Sequence, residues 1–516
     1  MDSTRMLVLG CVLLSLLSVV SAEGLLNLKC INTFTSDFIG PMWVGDVNGD
    51  GTLEVIVGTR VNGAVNAYKY KGYDCANEWG AVQSGGWNYA SGGDVQSLYV
   101  GDIKGGKRVV VNGIESTFNK ASKVSKYVTA ITPMGSEDWN LKEKCGVAYT
   151  VYAADVDKSG VKNVMLGTKS SKVCVLKDNP VTKEPVLWTY VTERPVYLVK
   201  ADDVDGDGNI EVIALDRQGY NTKLYCISDT GTLKWSYAVS GGVYLSSIAD
   251  KLVSISDLDG DGKKEIILST YTSGVQVVDS SGRLKWSFET KSSGSSNDLV
   301  SVVRTYDVNG DGKQEVLVGA KPNLYALDSS GGLLWKAPID TMMYDVSVGD
   351  VFGDSSSEVV VSSTRYVYVF DNQGGLIDRW AYKVEIQGKE SLFQEKDVNG
   401  YNVAVADLDG DGKNEIVTSF GWQEDRDIVT YYYGDLRVFE INGDFTPESG
   451  TTETTLPEEG DGGTGTTLSH ETGTTLSNGP ETSLPPDGKK GGICCIPLLP
   501  AILALALSAW LGYPIK

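Results

Sequence analysis

The sequence predicts an all-β fold: an eight-bladed β-propeller closed by N- and C-terminal strands sharing a blade, plus a disordered stalk and a C-terminal transmembrane helix. Three observations predict it. An acidic loop between two apolar strands recurs eight times. The recurrence has the length of a four-stranded blade. A lone strand precedes the first loop, and the last blade lacks one.

Residues 1–22 read as a secretory signal peptide. Arg5 gives a positive start, Met6–Val20 is a compact apolar run, and Val20-Ser21-Ala22 is a small-residue cleavage site. The run is short for a membrane-spanning helix, and the cleavage site follows it directly.

Residues 23–445 form the propeller. Its acidic loops begin at Asp46, Asp102, Asp155, Asp203, Asp257, Asp307, Asp350 and Asp407, spaced by 43 to 57 residues. The fifth repeat shows the layout. Lys251–Ser256 is the strand before the loop, and Glu265–Thr270 follows it. Val275–Asp279, a turn at Ser280–Gly282 and Leu284–Phe288 complete the blade. Alternation, β-branching and glycine punctuation indicate antiparallel sheet, and no long 3.6-residue period appears. A Trp is expected in seven fourth strands, at Trp79, Trp139, Trp188, Trp235, Trp286, Trp335 and Trp380. Each packs most simply between blades. The eighth loop leads only to Leu436–Glu440, whereas Leu25–Cys30 has no blade of its own. Pairing the two ends closes the ring and protects its edges. An open solenoid is the structural alternative.

Five loops carry a full set of oxygens at positions 1, 3, 5 and 9. They are Asp46, Asn48, Asp50 and Glu54; Asp203, Asp205, Asp207 and Glu211; Asp257, Asp259, Asp261 and Glu265; Asp307, Asn309, Asp311 and Glu315; and Asp407, Asp409, Asp411 and Glu415. Hard oxygens at this density select Ca²⁺, which accepts six to eight of them in a flexible cage. Glycine at position 6 permits the sharp turn. Strands flank each loop and the glutamate stands at position 9, which excludes an EF-hand. Bound Ca²⁺ would turn carboxylate repulsion into a brace between the first two strands. The loop at Asp155 keeps Asp157, Ser159 and Asn163 but loses charge. The loop at Asp350 keeps Asp354 and Glu358 but has Phe352 at position 3. Lys104 and a shortened loop leave almost nothing around Asp102.

The Asp-x-Asp-Gly-Asp-Gly-x-x-Glu loops resemble those of FG-GAP/VCBS repeats, as in integrin α-subunit propellers. Leu324–Trp335 and Val367–Leu376 are similar to the Trp-bearing repeats of quinoprotein-like eight-bladed propellers. The resemblance covers about 24–445 and implies fold and metal rather than a particular activity. The C-terminus resembles that of archaeal surface proteins: a Thr-rich stalk, a short Cys motif and a hydrophobic helix. Gly492-Ile493-Cys494-Cys495 is loosely like a sorting-enzyme motif, with the terminal basic cluster reduced to Lys516.

Residues 446–492 repeat Thr-Thr-Leu among Glu, Gly and Pro and cannot bury a core, which predicts a stalk. Residues 493–513 contain no charge and would span roughly 30 Å as a helix, one hydrocarbon core. The expected location is therefore the outer face of the cell membrane, anchored by that helix.

The formal net charge of −22 argues against nucleic acid as partner. The one histidine, His470, lies in the stalk, so the folded part has no histidine-based triad, general base or metal ligand. Phosphate-loop, dinucleotide and Cys-x-x-Cys motifs are missing too. Cys30, Cys75, Cys145, Cys174 and Cys226 permit one or two disulfides, with connectivity open. Tyr431, Tyr432 and Tyr433 are candidates for a loop that stacks on sugar or peptide. The expected function is binding or adhesion to a surface protein or glycan, on the face opposite the acidic loops. The alternatives are a polysaccharide lyase or quinoprotein-like enzyme, and an envelope assembly scaffold. A channel lined by Lys, Arg and Tyr would favour the lyase, and a Trp-floored slot the quinoprotein.

Overall fold

In the computed structural model, residues 25–441 are described except 36, 38, 71–86, 91–93, 104, 115–127, 142–144, 178–179, 181, 244–248, 273, 291–297, 383–397 and 427–428. The chain divides into two compact units, Met1–Pro447 and Glu448–Lys516. The signal peptide, stalk and hydrophobic C-terminal segment lie outside the described residues, as do Trp79 and Cys75. Among the described residues no helix is long and apolar enough to cross a membrane.

Eight four-stranded antiparallel sheets make up the propeller. Seven of them follow chain order, from the innermost strand outward. Blade 4 is typical: Val196–Asp202, Glu211–Gln218, Asn221–Ile227 and Leu233–Ala238. Second strands such as Glu315–Ala320 are buried at every residue, because neighbouring blades cover both faces. That explains their unbroken apolar runs. Fourth strands such as Leu333–Pro338 are largely exposed.

Blade 8 takes its first three strands, Asn399–Ala406, Glu415–Arg426 and Val429–Ile441, from the end of the chain. Its outermost strand is Leu26–Thr35 from the beginning. Leu26 pairs with Ile441 and Thr35 with Tyr433. The ring is therefore closed as expected, and the open solenoid is excluded. Eight hydrophobic clusters form the core, each straddling one blade-to-blade boundary, including that between blades 8 and 1. At the boundary of blades 7 and 8, Tyr382 donates to Asp435 at 2.6 Å and Arg437 pairs with the same carboxylate at 2.7 Å. The guanidinium lies 4.1 Å from the Tyr382 ring centroid.

A repeated latch joins successive blades. The indole Nε1 atoms of Trp188, Trp235, Trp286 and Trp335 donate to the carbonyls of Asp229, Ser280, Ser329 and Asn372 in the next blade, at 2.7, 2.8, 3.0 and 3.0 Å. Each accepting turn is tucked under the indole by a glycine. Gly282, with φ +83°, is one: a Cβ there would lie 2.6 Å from Trp235 Cδ2.

Three expectations need correction, and one open question is answered. The fourth strand of blade 1 is Trp87–Ala90, so it carries Trp87, not Trp79. Trp79 and Trp87 stand only eight residues apart, and the blade spacing does not choose between them. Residues Ala249–Leu252 form a 3-10 turn and the strand begins at Val253. Tyr431–Tyr433 lie in the strand Val429–Ile441 rather than a loop, because the last hairpin stays paired out to Arg426 and Val429. Cys145 and Cys174 are disulfide-bonded, a pairing the sequence left open.

Candidate functional site

The acidic loops connect first and second strands, and so all lie on one face of the ring. Their own backbone shapes them. At position 1, Asp203 accepts from the N–H groups of Gly206 (2.9 Å) and Gly208 (2.8 Å), and Asp257 and Asp407 do likewise with their glycines. Asp46 accepts from Gly49 and Gly51, and Asp307 from Asp311 and Gly312. At position 5, one oxygen of Asp50, Asp207, Asp261, Asp311 and Asp411 accepts from the N–H two residues on.

The position-9 glutamates have a role that the sequence did not reveal. One oxygen of Glu54, Glu211, Glu265, Glu315 and Glu415 accepts from the backbone N–H of position 2, at 2.7 to 3.0 Å. This bond clamps the loop shut at its base. The other oxygen, Oε1, is left to face the remaining acids.

Carboxylate oxygens converge within 4.8 Å in three groups: Asp203, Asp205 and Glu211; Asp257, Asp259 and Asp261; and Asp407, Asp409 and Glu415. In the other two complete loops, amides bridge the acids. Asn48 donates to Asp50 and Glu54, and Asn309 to Asp311 and Glu315. These donor sets fit Ca²⁺: they are hard, oxygen-only and held by a preformed turn. Asp205 Oδ1 is buried and accepts no hydrogen bond among the described residues, as expected of a cation ligand.

The electrostatics differ between loops. Burial, reinforced by Asp409, Asp411 and Asp407, pushes Glu415 up to about 7. Asp409 is also raised, chiefly by burial. Lys234, by contrast, sits 2.6 Å from Asp205 and 2.9 Å from Glu211. Burial alone would lower its pKa, but those bonds hold it above the usual range. Lys285 reaches Asp259 at 2.7 Å and Glu265 at 2.8 Å, and its hydrogen bond is the main cause lowering Asp259.

The weaker loops keep the backbone frame. Asp155 accepts from Ser159 and Gly160, and Asn163 replaces the clamping glutamate. Asp350 accepts from Gly353 and Ser355, and Glu358, pushed up to about 7 by burial, clamps Val351. The turn after Asp102 closes through Ile103 and Gly106 without an acid cluster.

Two cavities offer ligand space. One, of about 600 Å³, lies on the face opposite the acidic loops, where turns of blades 3, 4 and 5 meet. Its lining includes Glu193, Arg194, Tyr220, Lys223, Tyr271 and Thr272. Tyr220 is 65 % exposed, and its ring centroid is 5.1 Å from that of Tyr271. Gly242 allows this approach, since a Cβ there would meet the Tyr220 carbonyl at 2.3 Å. Glu193 pairs with Lys223 at 2.7 Å and with Arg194 at 3.1 Å.

The other cavity, of about 520 Å³, follows the innermost strands. Tyr149 and Tyr197 stack there at 4.6 Å. Lys251 and Arg304 both pair with Asp345, at 2.9 and 3.0 Å. Burial lowers Lys251 to about 8 and raises Tyr149 and Tyr152 to about 12.

The fold and loops define an eight-bladed β-propeller with repeated acidic hairpins. Residues 257–318, within blades 5 and 6 of the propeller, match the family model of the FG-GAP-like repeat. A comparison with curated proteins returned no match. Similar solved structures include the V. cholerae biofilm matrix protein Bap1, with 14% identity over 83% of this chain and 90% of that chain and a TM-score of 0.49. BBS1N in complex with ARL6DN shares 10% identity over 70% of this chain and 98% of that one, with a TM-score of 0.44. The dihydro-heme d1 dehydrogenase NirN shares 12% over 67% and 73%, with a TM-score of 0.43.

Proposed function

We propose that this chain is a Ca²⁺-braced cell-surface binding module that takes a glycan or surface-protein ligand on the face opposite its acidic loops. The observation that carries the reading is the Tyr220–Tyr271 pair. An aromatic ring held 65 % exposed over a groove, beside a second ring and a rim of Arg194, Lys223 and Glu193, suits a ligand with one apolar face and several hydroxyls or charges. The Asp, Asn and Glu side chains of the five complete loops would hold Ca²⁺, which supplies positive charge that joins the first two strands of each blade. Residues 1–22, 446–492 and 493–513 would export the propeller, space it from the bilayer and anchor it. Nucleic acid remains an unsuitable partner for so acidic a chain.

The test is a glycan and surface-protein binding screen with the purified protein in Ca²⁺, repeated with Tyr220→Ala and Tyr271→Ala. The expected result is a ligand whose affinity falls roughly tenfold or more in each variant. Binding that ignores both substitutions, or no ligand across the screen, would overturn the reading.

One observation favours an enzymatic second reading: Lys251, Arg304 and four tyrosines line the central cavity, as a lyase acting on an acidic polysaccharide would require. Lys251, held near 8, would be the proton acceptor. Ultraviolet absorbance of unsaturated products from acidic polysaccharides, lost in Lys251→Met, distinguishes this reading from binding alone.

A further inference from the structure

We propose that the five complete loops are of two kinds, sorted by whether a lysine of the same blade reaches into them. The loops beginning at Asp46, Asp203 and Asp257 are closed by an ammonium group. Those beginning at Asp307 and Asp407 are the ones that take a divalent cation tightly. The proposal rests on the reading of the loops as Ca²⁺ sites.

Lys234 and Lys285 come from the same place in their blades, the second residue of the fourth strand, in Leu233-Lys234-Trp235 and Leu284-Lys285-Trp286. Each Nζ lies between the position-3 carboxylate and Oε1 of the position-9 glutamate, at 2.6 and 2.9 Å for Lys234 and 2.7 and 2.8 Å for Lys285. Lys69, the last residue of its strand, reaches Asp50 and, at 2.9 Å, Glu54 Oε1. These are the oxygens the loop's own backbone leaves unused, and so the ones an ion needs. The ammonium and the ion therefore compete for one set of ligands.

The same molecule supplies the control. In blade 6 the equivalent strand reads Leu333-Leu334-Trp335, and Leu334 offers no charge. In blade 8 the outermost strand carries Lys29, but that lysine pairs with Glu440 at 2.8 Å. Among the described residues no ion pair joins a lysine to Asp407, Asp409 or Glu415. Those three converge with no internal cation between them.

An ion entering a closed loop must first displace a partly exposed, doubly bonded ammonium. That should weaken binding roughly tenfold to a hundredfold relative to an open loop. Calorimetric Ca²⁺ titration and Tb³⁺ luminescence on the purified full chain test this. The wild type should show tight sites at the Asp307 and Asp407 loops only. Lys234→Leu and Lys285→Leu, singly, should each add one tight site, and Leu334→Lys should remove one. Asp409→Asn should remove one tight site and Asp259→Asn none. Lys285→Met, with far-ultraviolet circular dichroism, guards against a misfolded variant, and Leu334→Lys approaches from the opposite direction. Equal affinity at all five loops, or lysine variants that leave number and affinity unchanged, would overturn the sorting while leaving the Ca²⁺ reading intact. No ion bound by any variant would overturn both.

Discussion

Substituting Gly282 by Ala isolates the blade-to-blade latch. Two costs follow from the geometry. A side chain at φ +83° costs about 1–2 kcal/mol. The new Cβ would also stand 2.6 Å from Trp235 Cδ2, so the indole must retreat by about 0.8 Å to reach an ordinary 3.4 Å contact. A shift of that size would carry the Trp235–Ser280 bond, now 2.8 Å, beyond hydrogen-bonding range. Its loss adds about 1 kcal/mol. The sum is about 2–3 kcal/mol. Gly219→Ala is the control, because Gly219 has φ +63° and no atom within 4 Å of an added Cβ. It should cost only the backbone share. Urea unfolding followed by Trp fluorescence, at matched slope, compares the two variants. If Gly282→Ala is no more destabilising than Gly219→Ala, the indole latch does not hold the blades.

Arg437→Leu should destabilise the protein by about 3–5 kcal/mol, because it leaves buried Asp435 without its guanidinium. Chemical denaturation measures this, and Asp435→Asn in the same chain should recover part of the loss. Chelation with EGTA should lower the melting temperature, and added Ca²⁺ should restore it; an unchanged melting curve would mean that the loops brace nothing through metal. Lys251 gives a pH signature. Its folded pKa, lowered to about 8, lies below the ordinary lysine value of 10.5. Below pH 8 both states hold the proton and the burial cost is carried in full. Between pH 8 and 10.5 the unfolded chain binds more protons, so stability rises with pH. Denaturation midpoints for wild type and Lys251→Met across that window should diverge in favour of the wild type.

The blade count, ring closure and acidic hairpins were legible because each depends on local spacing repeated many times. The position-1 and position-5 acids act within their own loop, so the motif itself specified them. The lysine contacts were not legible. Lys285 lies twenty residues beyond Glu265, and nothing in Leu-Lys-Trp distinguishes a residue turned toward the loop from one turned to solvent. Tyr220 and Tyr271 were hidden for a similar reason: they occupy turns of successive blades whose approach depends on Gly242. Trp79 was placed on the strand that holds Trp87, because blade spacing alone does not choose between two Trp eight residues apart.

The shared eighth blade also sets the order of events during synthesis. Leu26 cannot meet Ile441 until nearly the whole propeller has left the ribosome. The amide of Asn402 likewise reaches the carbonyl of Gly40 only across the finished circle, 362 residues away. A chain halted before Val429 would hold most of its blades as an arc with two bare rims, each offering unsatisfied backbone to a neighbour. Truncation from this end should therefore yield sticky, protease-sensitive fragments rather than a smaller working wheel.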